Sequence, residues 1–168
     1  MKTEILKLLR ESQDYVSGQQ LCETFGVSRT AVWKVMNQLK EEGYEVEAVR
    51  NRGYRIVGSA DVMTQEELES LLDGRTKWAG QHVVYYDEID STNIKAKQLG
   101  EEGAPHGTLV VADMQTAGRG RRGRGWDSPS GSSIYMSIML RPKFPPVKAP
   151  MLTIVMAYSV ARALRTCT

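Results

Sequence analysis

Apolar positions in the first third of the chain recur with helical spacing. Ile5, Leu6, Leu8 and Leu9 form one stripe over residues 3–10, which predicts a short amphipathic helix. Ser17 stands where an N-cap is needed for a helix from Gly18 to Phe25, with Leu21 and Phe25 four apart on one face. Gly26, Val27 and Ser28 follow as a turning glycine, an apolar plug and a second N-cap. From Arg29 to about Glu42 the pattern buries Ala31, Val32, Val35, Met36 and Leu39, leaving Arg29, Thr30, Trp33, Lys34 and Asn37 on the other face. The period then drops to two. Glu45 to Val57 alternates around Arg50-Asn51-Arg52-Gly53, which predicts a hairpin with a basic tip.

Helix, turn, helix and basic hairpin together make a winged helix-turn-helix over residues 1–58. Its second helix offers donors for a major groove and its wing can touch phosphates or a minor groove. Candidate DNA contacts are therefore Ser28, Arg29, Thr30, Trp33, Lys34, Asn37, Arg50 and Arg52. Trp33 either reaches DNA or packs against the wing. Winged helices also serve as protein-interaction modules, and this segment is nearly neutral; DNA is favoured because the cations fall on the contact surface while Glu4, Glu11 and Glu23 precede it.

Gly58-Ser59-Ala60-Asp61 reads as a linker, which sets provisional boundaries at 1–58, 59–66 and 67–168. A helix from Thr64 to Leu72 opens with the capping-box-like pair Thr64 and Glu67. Residues 82–86 predict a strand, Ser91 to about Leu99 a helix, Thr108–Ala112 and Ile134–Leu140 two further buried strands. From Lys148 through Met151, Ile154, Val155, Tyr158, Val160 and Leu164 the pattern predicts a largely buried helix. The fold class is thus α+β, a winged head followed by a mixed sheet flanked by helices.

Composition changes the picture in one respect. Net charge is only +2, but residues 118–168 carry nine Lys/Arg and a single acid, Asp127, so the C-terminal part is suited to anions. Cys22 and Cys167 have neither pairing nor metal-ligand spacing, which suggests a reducing compartment. The charged N-terminus lacks a signal-peptide core, and the run from Met151 to Leu164 reads as too short for a membrane span and contains Arg162. A cytoplasmic protein is expected. His82 and His106 match no catalytic pattern.

The charge concentrates between Gln115 and Tyr135, where Arg119, Arg121, Arg122 and Arg124 are interleaved with Gly118, Gly120, Gly123 and Gly125, and Trp126 closes the run. Glycines at that density exclude a helix or a regular strand but let backbone approach a ligand closely. Arginine forks suit carboxylate and phosphate. Buried strands on both sides favour an ordered anion-binding loop over a disordered tail.

These residues resemble the biotin protein ligases: Gly118-Arg-Gly-Arg-Arg-Gly123 with Trp126, Ser91-Thr92-Asn93 upstream, and Ser128-Pro129 downstream. The helix-turn-helix narrows the likeness to the bifunctional branch that is also a biotin-responsive repressor. The resemblance runs from about residue 5 to the end and implies a class II synthetase-like ligase domain. Ser91, Thr92 and Asn93, which alone read as helix caps, become by resemblance a clamp for biotin's ureido ring, joined by Gln115. The implied reaction joins biotin to ATP as biotinoyl-5′-AMP, then passes the biotinoyl group to a lysine of biotin carboxyl carrier protein. Arg119, Arg121 and Arg122 would supply the cationic field and Arg121 would also retain the adenylate; Arg119, Gly120 and Arg121 would touch biotin. Gly118 and Gly123 would let the loop close, and Trp126 would cover the loop or the adenine, or simply pack in the core. Mg²⁺ is expected on the phosphates, operator DNA as a partner, no membrane, and a homodimer when ligand is bound.

The likeness is incomplete. The family's Lys-Trp-Pro-Asn-Asp motif, three small strands and an SH3-like domain do not occur in these 168 residues, and Ser133 stands where many relatives carry Asn. An N-terminal fragment with little adenylation and an exposed apolar sheet edge is therefore expected. A biotin-sensing regulator without ligase chemistry is the alternative, and a nucleic-acid-binding arginine loop a third.

Overall fold

The computed structural model describes residues 1–58 and 61–167, with the side chain of Arg121 outside the described set. The linker expected at Ser59 and Ala60 therefore lies outside the described residues. Helices α1 (Lys2–Glu11), α2 (Gly18–Phe25) and α3 (Arg29–Glu41) pack with the hairpin β1 (Val46–Val49) and β2 (Gly53–Ile56) around one core. Ile5, Leu6, Leu21 and Leu39 are fully buried in it, each worth roughly 1.5–3 kcal/mol of transfer free energy. The local signals are realised as read: Ser17 Oγ accepts from Gln20 N–H and Ser28 Oγ from Ala31 N–H, and Gly26 ends α2 at φ 64°. Ala31, expected in the core, is only half-buried.

The wing is strung on close backbone contacts. Val16 and Tyr54 exchange both backbone hydrogen bonds at 2.9 Å, so the chain before α2 pairs with β2. Gly53 sits at that crossing with φ 118°, and a Cβ there would lie 2.0 Å from Val16 O. Only glycine fits.

Helix α4 (Gln65–Leu72) joins the head to the second sheet. Thr64 Oγ1 caps it at Glu67 N–H, 3.2 Å. The capping box is only half made, because the Glu67 carboxylate does not reach back to the cap. Both its oxygens accept from Arg10 Nη2, at 2.5 and 2.6 Å, and one also accepts from Tyr44 Oη at 2.7 Å. This charge is 5% exposed, and burial pushes the Tyr44 phenol above its ordinary range. Lys2–Glu66 and Lys7–Asp73 continue the ion-pair seam between α1 and α4. On the other side of α4, Gln65 Nε2 donates to Val83 O at 2.7 Å and its Oε1 accepts from Tyr85 N–H at 2.8 Å.

That sheet has the order β3 (Val83–Ile89), β4 (Leu109–Gln115), β5 (Tyr135–Ile138), with β3 and β4 parallel and β4 and β5 antiparallel. The parallel pair is connected through α5 (Thr92–Glu101), which packs on β4 and β5. Val110, Val111 and Ala112 of β4 are buried in the centre. The outer edge of β5 is paired with no described strand.

Helix α6 (Met151–Cys167) corrects an expectation. The sequence predicts a largely buried helix, yet none of its described residues is buried; Ile154 is 71% exposed and Tyr158 64%. Its apolar residues surround the helix, as in a segment that needs cover on several sides, and the preceding stretch 141–150 is exposed throughout. The length argument against a membrane span also fails. With the preceding turn, Pro146–Cys167 is 22 residues long and contains an 18-residue window of mean hydropathy 1.3, enough to cross a bilayer by length and composition. Arg162 and Arg165 within it weigh against that placement.

Candidate functional site

Two sites take shape. In the head, a groove of about 420 Å³ lies between the wing and the N-terminal ends of α2 and α3, lined by Arg29, Arg50, Asn51 and Arg52 among others. Ser28, Arg29, Thr30, Trp33, Lys34 and Arg50 are exposed, and Asn37 is half-buried. Trp33 is 56% exposed, so more than half of its surface faces solvent. Arg52 is less free than the sequence suggested. Its Nη2 pairs with Asp14 at 2.9 Å and its guanidinium lies 4.3 Å over the Tyr15 ring, with Arg55 at 4.9 Å on the same ring. Hydrogen bonds from Tyr15 and Arg55 hold the Glu47 carboxyl below the usual range. The wing is thus braced by a cation–aromatic–carboxylate cluster on the segment before α2.

The second site is a cleft of about 580 Å³ between α5, β5 and the arginine tract. It brings Ser91, Thr92, Asn93, Gln115, Arg119, Gly120 and Trp126 to one lining, although they span 36 positions from first to last. Arg122, Gly118 and Gly123 are not in that lining. Nothing is assigned to the Arg121 side chain, a candidate that lies outside the described residues.

The helix-cap question at Ser91 has a definite answer. Ser91 occupies the N-cap position of α5 but its side chain makes no capping bond. Gln115, 23 residues away on β4, does the capping: its Oε1 accepts from Thr92 N–H at 2.9 Å and Thr92 Oγ1 at 3.1 Å. Gln115 Nε2 donates to Ser128 Oγ at 3.1 Å, and Thr92 Oγ1 shares a 3.0 Å hydrogen bond with Ser137 Oγ. Ser91 is 2% exposed and Asn93 is exposed. The result is a small neutral set of hydroxyl and amide groups at a helix N-terminus, rich in both donors and acceptors. Ser137 belongs to it and was not singled out from the sequence; its only signal was a polar residue inside an apolar strand.

The arginine tract is ordered, and it is a hairpin rather than a loose loop. Gln115 bridges Ser128 and Arg119 bridges Gly125, with Trp126 N–H bonding Gly118 O at 2.9 Å and Gly120 N–H bonding Arg124 O at 2.7 Å. A single turn at Arg121–Gly123 closes the tip, where Arg122 takes φ 61°. Its base is tied to the end of β3 by Thr116 N–H to Ile89 O and Ala117 N–H to Asp90 O, 2.8 and 2.9 Å. Gly118 is buried at the crossing: a Cβ would sit 2.4 Å from Trp126 O and 2.8 Å from Ser128 Oγ. This glycine serves close approach within the hairpin. Trp126 is 62% exposed, so core packing is not its role.

The Gly118→Ala variant should therefore open the hairpin. Limited trypsin digestion is expected to cut at Arg119–Arg124 about tenfold faster than in the wild type, since cleavage follows the population of the opened segment. Equal cutting rates would show that the crossing does not hold it shut.

With the geometry in hand, comparison with known proteins adds the following. A family described as HTH domain matches residues 2–55, and one described as Biotin/lipoate A/B protein ligase family matches residues 85–168. The chain is 42% identical over 165 residues to the bifunctional ligase/repressor BirA of Bacillus subtilis, covering 98% of this chain and 50% of that one. It is 35% identical over 153 residues to the Escherichia coli protein of the same name, covering 90% and 45%. A solved structure of a biotin protein ligase from Aquifex aeolicus, in complex with biotin and ATP, is 43% identical over 38% of this chain and 25% of that one, with a TM-score of 0.32. The chain spans about half the length of the curated relatives it matches.

Proposed function

Because the chain belongs to the biotin/lipoate A/B protein ligase family and carries an HTH domain before the ligase part, we propose that it is part of a biotin protein ligase that also represses transcription in response to biotin. The observation that carries this reading is the cleft in which a neutral hydroxyl–amide clamp and Arg119 share one lining. Ser91, Thr92 and Gln115 match a cyclic urea, which offers two N–H donors and one carbonyl acceptor. Ile94, Ile134 and Met136 give the apolar wall that the remainder of biotin needs.

Biotin's carboxylate and ATP are both anions. Their approach needs fixed positive charge, which Arg119 supplies in the cleft. Attack of the carboxylate on the α-phosphate releases pyrophosphate and leaves biotinoyl-5′-AMP. A carrier lysine then attacks the acyl carbon and AMP departs. The cleft lining contains no carboxylate, and no group of three or more His, Cys, Asp or Glu able to hold a metal occurs among the described residues. Mg²⁺ would come with the nucleotide's phosphates. Operator DNA on the head, a carrier protein as acceptor, a cytoplasmic location and a ligand-dependent homodimer complete the proposal.

Calorimetry with biotin, alone and with ATP, tests it. Biotin should bind, and ATP should tighten the complex; absence of biotin binding would sink the reading, while binding without any tightening by ATP favours a biotin sensor without chemistry. For the head, the Arg29→Ala/Lys34→Ala double variant should lower the slope of log affinity against log salt for duplex DNA by about two. An unchanged slope would remove these residues from the DNA surface.

A further inference from the structure

Lys97 lies in none of the motifs. It follows Asn93 by one helical turn on α5, so the two share a face, and it lines the same cleft as the clamp and Arg119. Lys97 and Arg119 are the charged side chains of that lining; both are cations, and no acid offsets them. Lys97 is exposed and forms no ion pair or side-chain hydrogen bond among the described residues. Its neighbour Lys95 differs: Nζ is bonded to Gln98 Oε1 at 3.2 Å and the residue is outside the cleft.

The arrangement along α5 is directional. Thr92, held by Gln115, begins the helix, and five residues later, about 7–8 Å along the axis at 1.5 Å per residue, stands an unpaired ammonium. Ile94 and Met136 are also in the lining. The cleft thus brings neutral hydrogen-bonding groups, apolar side chains and cations into one lining, the three kinds of group that a urea-headed fatty acid needs.

We propose that Lys97 is a specificity-determining residue that reads the ligand's carboxylate and, with Arg119, makes the cleft prefer the free acid to the neutral amide that exists after transfer. This rests on the proposed function. It adds that the same site discriminates against its own product: the acid and the acyl-adenylate are anions that the ammonium attracts, whereas the lysyl amide carries no charge at that atom.

The test compares biotin with biotinamide by calorimetry on the wild-type chain and on Lys97→Ala, Lys97→Arg and Lys95→Ala. The wild type should bind the acid about tenfold more tightly than the amide. Lys97→Ala should shrink that ratio threefold or more by weakening the acid alone, the modest size expected of a solvent-exposed cation. Lys97→Arg should restore it, and Lys95→Ala should leave it unchanged. Raising the salt should shrink the wild-type ratio and not that of Lys97→Ala. If both ligands bind but Lys97→Ala keeps the wild-type ratio, the inference is overturned and the clamp survives. If neither ligand binds the wild type, the proposed function falls and takes the inference with it.

Discussion

Gln115→Glu should melt within about 2 °C of the wild type and yet lose biotin affinity by a hundredfold or more. The fold should tolerate the change because the glutamate keeps an oxygen where Gln115 Oε1 now accepts from Thr92 N–H and Oγ1. A carboxylate at a helix N-terminus is favourable, and Ser128 Oγ can turn its hydrogen toward the new oxygen. The ligand site does not survive as well. The amide N–H₂ is lost, a negative charge faces an anionic ligand, and the cleft's cations gain a competitor. A site built to hydrogen-bond a polar ligand loses a hundredfold or more when one partner is mismatched. Gln115→Ala makes the complementary case: it leaves the buried Thr92 N–H without its cap and should cost roughly 2 kcal/mol of stability. Thermal melts with calorimetry on both variants separate the roles. Biotin binding by Gln115→Glu within threefold of the wild type would remove Gln115 from the clamp.

Glu67→Ala should destabilise the fold by roughly 3 kcal/mol. It strips the partner from Arg10, whose side chain is only 22% exposed, and from the buried Tyr44 hydroxyl. Breaking a buried pair from one side typically costs 3–5 kcal/mol because the other charge is stranded; the lower end applies here, since Arg10 keeps some access to water. At this chain length the melting temperature should fall by roughly 6–12 °C. In the Glu67→Ala background, Arg10→Met should then cost far less than it does alone, a coupling of about 1.5–3 kcal/mol in a double-mutant cycle. Additive losses would mean that the two side chains do not stabilise one another.

The head was legible because its signals are local. Ser17 and Ser28 cap helices that begin one residue later, and the apolar stripe of α3 is read directly as its buried face. The strands of the second sheet were found for the same reason. What the sequence hid is pairing across distance. A serine before a helix reads as its cap, and nothing near Ser91 shows that an amide from another strand has taken the position. Glu67 completes a capping-box pattern, yet two stronger donors from the head draw its carboxylate away. The arginine tract has no period-two apolar signature because its hairpin is held by backbone bonds at glycine crossings, which leave no side-chain pattern. An apolar helix such as α6 announces a need for cover and not where that cover stands.

Gln65 gives the sheet a polarity of growth. With its amide seated on Val83 O and Tyr85 N–H, the first half of the outer edge of β3 is already occupied. A strand added beyond β5, whether from the same polypeptide or another, meets no such obstacle, so growth is favoured on the side away from the head.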